Sequence, residues 1–332
     1  MSPRKSKKVS EKVLELIKSR SRKAIELAKT TMLAEKVESK TIYAALKYYV
    51  SNWEVCTFPG LFSIACEAVG TAPDKTLKAQ AATALLAAAL DIHDDIIDRS
   101  LAKHGVPTIF GKFGQDVSLL LGNAFFVDGF TLIGKSIVNL PDEKAYEILE
   151  AIKKLMFEVG IAHALELDFR RNMTIKPENY LAVLKMKAAT AEVSMQLGAI
   201  IGEGAQAQVE ALRRYGRILG MLATLRDEFI DVYESEELRQ RVQNECLPLP
   251  VLYALQGENS RQMQRILRKG SLSHVDAERL LDLVLESKEV KRLKKKMGSM
   301  AKEACNIASQ IRKKEIKDLL IQLSTSSLED LQ

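Results

Sequence analysis

Apolar residues recur along this chain at spacings of three and four, and almost nowhere by simple alternation, so the pattern is that of helices. Over 9–34, Val13, Leu14, Leu16, Ile17, Ala24, Ile25 and Leu27 stand among charged residues, which predicts an amphipathic helix. A short helix is expected over 41–52, and a third runs from Pro59 through Val69, where Gly70 ends it. The stretch 75–102 is apolar on every side through its middle, from Ala81 to Leu90 with only Thr83 interrupting, and such a helix is buried all round. Gly105, Pro107 and Gly111 mark a loop. Helices then follow over 115–138, 143–169, 177–201 and 205–234. The segment 239–248 reads as a loop and 250–255 as a short helix, and smaller amphipathic helices run from Ser260 to the end with a break at Gly270. No linker rich in Gly, Pro or Ser divides the chain and no internal repeat is found. The expectation is an all-α protein, with a basic disordered tail at 1–8 and one large helical bundle over 9–332.

Composition agrees. Only 17 Gly and 8 Pro punctuate 332 residues, too few for the turns of a many-stranded β fold. Hydrophobic residues make up 47% and charged residues 28%, as in a soluble globular protein. Much of the net charge of +6 sits in two clusters, Arg4, Lys5, Lys7 and Lys8, and Lys288, Lys291, Arg292, Lys294, Lys295 and Lys296. These read first as solvated faces, and they leave open a peripheral contact with an anionic membrane. No aromatic side chains interleave with them, so no nucleic-acid partner is expected. The four cysteines, Cys56, Cys66, Cys246 and Cys305, form no CxxC pair, which speaks against a zinc site or a disulfide framework and for a reducing cytoplasm. No signal-peptide pattern opens the chain, and no continuous apolar run reaches the roughly 18 residues of a membrane span.

The chemistry concentrates in acidic residues. In Ala88-Ala-Leu-Asp-Ile-His-Asp-Asp-Ile-Ile-Asp98, spacings of three and four place Asp91, Asp94, Asp95 and Asp98 on one helix face. Carboxylates so arranged repel one another, and burial raises the cost, so a cation must offset them. Hard oxygen ligands of this kind suit magnesium, which keeps several waters and bridges carboxylates to phosphate. A second set, Asp227-Glu-Phe-Ile-Asp231, lies late in another long helix. Two such helices facing each other would make an acidic, metal-closed cleft in which a diphosphate becomes a good leaving group. Either set alone is a weak signal; two, far apart in apolar helices, is a strong one.

From about Pro59 to Leu255 the chain resembles the trans-isoprenyl diphosphate synthases, the polyprenyl synthetase family. The resemblance rests on His93-Asp-Asp-Ile-Ile-Asp98, Lys103-His-Gly-Val-Pro-Thr108, Phe113-Gly114, Leu121-Gly-Asn-Ala124, Tyr180, Lys187, Asp227-Glu-Phe-Ile-Asp231 and Leu249-Pro250, in that order. It implies an isoprenoid synthase fold, a bundle of long helices around a deep cavity, that binds and ionises an allylic prenyl diphosphate. It implies three magnesium ions, with Asp94, Asp98 and Asp227 as direct ligands and Asp95, Glu228 and Asp231 in support through water and outer contacts. It also implies Lys103 and Lys187 on the allylic side and a homodimer. In the family a bulky aromatic five residues before the first Asp closes the tunnel. Ala89 stands there, which suggests a substrate longer than farnesyl or, equally, close helix packing.

The departures point elsewhere. Where chain-elongating members carry GGKRxRP, this chain has Trp53-Glu-Val-Cys-Thr-Phe-Pro59, so Val55, Cys56 and Phe58 replace basic residues. RRG becomes Lys103-His104-Gly105, and the family's upstream His, the Gln before the second motif and a later Lys become Ala87, Thr224 and Cys246. Val, Cys and Phe cannot hold a diphosphate. The expectation is therefore an enzyme that ionises an allylic diphosphate without condensing it with isopentenyl diphosphate, passing the cation to cyclisation, water or another acceptor. A chain-elongating synthase with a rebuilt acceptor pocket, in which Arg99, Arg226 or Arg171 substitutes, is the alternative. A non-catalytic partner subunit is the second alternative. Asp91 stands where an apolar residue is expected, and a buried Lys or Arg partner is its leading explanation.

Overall fold

The computed structural model describes residues 3–53, 56–103 and 105–329, so Glu54, Val55 and His104 lie outside the described residues. The all-α expectation holds. Helices α1 (Pro3–Ala34), α2 (Lys40–Ser51) and α3 (Thr57–Val69) lead through a single 3₁₀ turn into α4 (Leu77–Asp98). A two-residue hairpin, β1 (Ala102–Lys103) with β2 (Val106–Pro107), and the short α5 (Ile109–Phe113) precede the long helices α6 (Gln115–Ile137) and α7 (Asp142–Phe169). Then come α8 (Pro177–Lys187), α9 (Ala189–Ile201), α10 (Gln206–Tyr233), α11 (Ser235–Asn244) and α12 (Leu249–Ala254). The chain ends in α13 (Ser260–Leu267), α14 (His274–Glu286), α15 (Lys288–Ser309) and α16 (Lys314–Glu329).

Two helical readings from sequence are corrected. The segment 239–248 is helical through Asn244, because α11 buries Leu238 and Arg241 on one face and carries Glu236 and Glu237 in its first turn. The stretch 177–201 is two helices that meet at Ala188. By length and composition α6 could cross a membrane, with mean hydropathy 1.6 in its best window. Its Asn, Asp, Thr and Gly residues interrupt the apolar run without lowering that mean far enough. Helix α1 starts at Pro3, inside the stretch read as a tail.

The chain forms two compact units. One comprises 14–151 and 194–212; the other comprises the residues through Val13, 152–193 and those from Arg213 on. In the first, α4 is buried all round from Ala79 to Ala89, as its uniform apolar middle predicts. Its neighbour α6 approaches closely because it offers glycine at the contacts. A Cβ on Gly122 would lie 2.6 Å from His93 Nε2, and one on Gly129 would lie 2.8 Å from Leu86 Cδ2. In the second unit, Tyr215 on α10 donates to the Leu320 carbonyl of α16 at 2.6 Å and accepts from Ser324 at 3.0 Å. Arg217 of α10 ties Glu158 of α7 (2.9 Å) to buried Glu192 of α9.

Candidate active site: two acidic helices

The first acidic set ends α4. Arg99 closes the helix directly after Asp98 in the left-handed conformation, φ 55°, and Ser100 N–H donates back to the Asp95 carbonyl at 2.9 Å. The following hairpin is fastened at several points. Thr108 Oγ1 donates to the Ser100 carbonyl at 2.6 Å and accepts from Gly111 N–H at 2.9 Å. Only glycine fits at 111, since a Cβ there would sit 2.0 Å from the Leu101 carbonyl oxygen. From α2, Tyr48 hydroxyl donates to the Pro107 carbonyl at 2.7 Å.

This fastening swings Lys103 back over α4. Its Nζ lies 2.8 Å from Asp91 Oδ1 and 2.8 Å from Asp95 Oδ1. Asp91 thus has the lysine partner that its unusual position called for. Burial alone would lower the Lys103 pKa, but Asp91 and Asp95 outweigh it and hold the pKa above its ordinary value. Asp95 is buried, and desolvation raises its carboxyl to about 6 against the pull of Lys103. A cavity of about 320 Å³ opens beside these groups, lined by Tyr48 and Tyr49 of α2 and Asn52 just after it, by Asp91, Asp95 and Lys103, and by residues 106–109. The Tyr49 hydroxyl is buried there without a hydrogen-bond partner. Burial, then Asp91 and Asp95, hold its pKa well above the usual range. Ala89 is fully buried within α4 and does not line this cavity.

The second acidic set, on α10, is organised differently. Glu228 is buried, and both its oxygens are engaged. Tyr180 hydroxyl donates to Oε1 at 3.0 Å, Arg241 Nη2 donates to Oε1 at 3.1 Å, and Leu249 N–H donates to Oε2 at 2.6 Å. Arg241 also pairs with Asp231, donates to Tyr180 hydroxyl at 3.0 Å and reaches the Cys246 carbonyl at 3.0 Å. Desolvation raises Asp231 to about 7, partly offset by Arg241. Asp227 alone of the three turns outward, with its side chain 67% exposed and Arg226 3.6 Å away. Lys187 pairs with Glu166 at 2.7 Å.

Each helix therefore brings hard carboxylate oxygens to one face. Among the described residues, no three His, Cys, Asp or Glu side chains already converge as a metal cluster. The donor type, carboxylate oxygens gathered on each helix face, fits a hard divalent cation better than a soft metal. Sequence reasoning missed Arg241, which lay in a segment read as loop, and it missed Glu166, Tyr49 and Asn52. The only hint of Arg241 was a basic residue ten positions past Asp231.

A helical fold with aspartate-rich faces on two long helices defines a class I isoprenoid enzyme architecture. The polyprenyl synthetase family model matches residues 39–284, and the chain belongs to that family. Geranylgeranyl diphosphate synthase of Methanosarcina mazei is 27% identical over 207 residues, 62% of this chain and 63% of that one. Among solved structures, geranylgeranyl pyrophosphate synthetase from Pyrococcus horikoshii Ot3 superposes with a TM-score of 0.84 at 21% identity, covering 96% of this chain and 98% of the other. Polyprenyl synthase from Caulobacter crescentus CB15, complexed with calcium and isoprenyl diphosphate, superposes at 0.80 with 19% identity over 96% and 97%. These likenesses favour the chain-elongating alternative over the non-condensing reading.

Proposed function

We propose that this protein is a chain-elongating prenyl diphosphate synthase, which joins an allylic prenyl diphosphate to isopentenyl diphosphate. The observation that carries the reading is the pair of acidic faces, on α4 and α10, within a chain of the polyprenyl synthetase family. Residues 9–332 act as one catalytic domain. Asp94, Asp98 and Asp227 would hold magnesium, with Asp95, Glu228 and Asp231 in support. When bound, magnesium neutralises the charge that develops on the departing diphosphate. The Caulobacter protein's calcium and isoprenyl diphosphate are of this chemistry.

The chain's own residues would do the rest. Lys103, Lys187, Arg99 and Arg226 supply positive charge toward the diphosphate, and the apolar middle of α4 keeps water from the allylic cation. Ala89 in place of a bulky side chain suits a product longer than farnesyl diphosphate or, in keeping with its full burial, close helix packing. A homodimer is supported by α6, where Leu120, Val127 and Phe130 are exposed on one face, and by exposed Tyr146 and Leu149 on α7. The basic face of α15 suits peripheral contact with anionic lipid, and four free cysteines suit the cytoplasm.

The test is product formation by the pure protein with magnesium and geranyl, farnesyl or geranylgeranyl diphosphate, each with and without isopentenyl diphosphate. Longer prenyl diphosphates only when isopentenyl diphosphate is present are the expected result. Diphosphate release without it, with a hydrocarbon or alcohol as product, would sink the elongating reading.

A further inference from the structure

Asp91 is a carboxylate on the acidic face of α4 that the family's metal set does not use, and the hairpin brings one ammonium onto it. Lys103 Nζ is 2.8 Å from Asp91 Oδ1 in hydrogen-bond geometry and 2.8 Å from Asp95 Oδ1. The hairpin is held in place by Tyr48, Thr108 and the glycine-only contact at 111, so Lys103 has a fixed root and a choice of two counter-ions. Both side chains are only partly exposed, 30% for Asp91 and 40% for Lys103.

We propose that Asp91 is the positioning residue for Lys103: it keeps the ammonium beside the first acidic set, aimed into the neighbouring cavity, and so sets the enzyme's affinity for diphosphate. This rests on the diphosphate-binding reading above. The two counter-ions are not equivalent. Asp95 belongs to the acidic set that supports a divalent cation, and a dication there repels the ammonium and competes for the carboxylate. Asp91 stands one helical turn away from Asp94 and Asp95 and retains its hold. An ammonium has three donors. With one on Asp91, the others are free for phosphate oxygens, and the long lysine chain is ordered before the ligand arrives.

Simple electrostatics predicts the opposite sign. Deleting a carboxylate beside an anion site should tighten anion binding. The experiment is calorimetric titration of inorganic diphosphate into the full chain at saturating magnesium, for wild type, Asp91→Asn, Asp91→Glu, Lys103→Met and the double variant Asp91→Asn with Lys103→Met. The expected result is that Asp91→Asn weakens diphosphate binding about tenfold, the loss of roughly one charge-assisted hydrogen bond. Asp91→Glu should recover most of it. In the Lys103→Met background, Asp91→Asn should change the affinity less than about twofold, because the residue acts through the lysine. Unchanged or tighter binding in Asp91→Asn, or an equal loss with and without Lys103, would overturn the proposal while leaving the functional reading standing. A wild-type protein that binds no diphosphate with magnesium would overturn both.

Discussion

On α4 and on α10 a single cation serves two carboxylates, and the two arrangements differ in depth. Lys103 reaches Asp91 and Asp95 from a surface hairpin and stays 40% exposed, whereas Arg241 pairs with Glu228 and Asp231 at 9% exposure. The lysine is a flexible point charge that can be shared with a ligand. The planar guanidinium is locked by carboxylates, by Tyr180 and by a backbone carbonyl, and cannot leave without stranding buried charge. Similar acidic sequences thus become an adjustable acidic face on α4 and a braced one on α10, where only Asp227 is left facing outward. The comparison teaches that the partner cation, more than the spacing of acids, decides what a motif of this kind can do.

The comparison can be broken most decisively at one carboxylate of each set. Asp94→Ala and Asp227→Ala should each lower turnover by about a thousandfold or more while the circular dichroism spectrum and melting behaviour of the metal-free protein stay native-like. Equal loss of folded protein in both would make these groups structural. Next in size is the contrast between the two cations. Arg241→Met should destabilise the protein by about 3–5 kcal/mol in denaturant unfolding, since it takes from Glu228 and Asp231 the cation they share. Lys103→Met should cost less than about 1 kcal/mol in the same assay because the pair is half solvated. Similar losses would erase the distinction drawn above.

A smaller effect is expected from pH. The folded-state pKa values of Asp95 and Asp231 are raised, to about 6 and about 7. For a carboxyl whose pKa rises on folding, stability is greatest where it is protonated in both states and is lost as pH rises through the folded value. The melting temperature of the metal-free protein should therefore rise as pH falls from about 7.5 toward about 5, and Asp95→Asn should flatten part of that slope. A melting temperature that falls over the same range would show these carboxylates to be net stabilised by their cations. Magnesium alone, at a hundredfold excess over its Kd, should add about 2.7 kcal/mol of stability at pH 7.5, read as a rise in melting temperature. Asp94→Ala should reduce that response more than Asp91→Asn does.

Much of this was legible in the chain. The three- and four-residue periodicity placed the long helices, the uniform run from Ala81 to Leu90 marked the buried α4, and the spacing of Asp91, Asp94, Asp95 and Asp98 put them on one face. These are local properties, fixed by helix geometry whatever the rest of the chain does. The segment after α10 was misread because polar residues dominate it, and α11 is a helix held by two buried side chains, Leu238 and Arg241, in a charged sequence. The basic residues lost at Val55, Cys56 and Phe58 speak against condensation, whereas the likeness of the chain to prenyl diphosphate synthases favours it.

What only the tertiary structure decided is which charges meet. Lys103 is twelve residues from Asp91 and could have pointed to solvent; the hairpin's fastening to Ser100, Leu101 and Tyr48 turns it inward. Arg241 reaches Tyr180 across 61 residues of sequence. Helical periodicity fixes the face on which a side chain stands, because it depends on neighbours three and four residues away. The identity of its partner depends on loop closure and on what burial makes too costly to leave unpaired, and no local pattern encodes that.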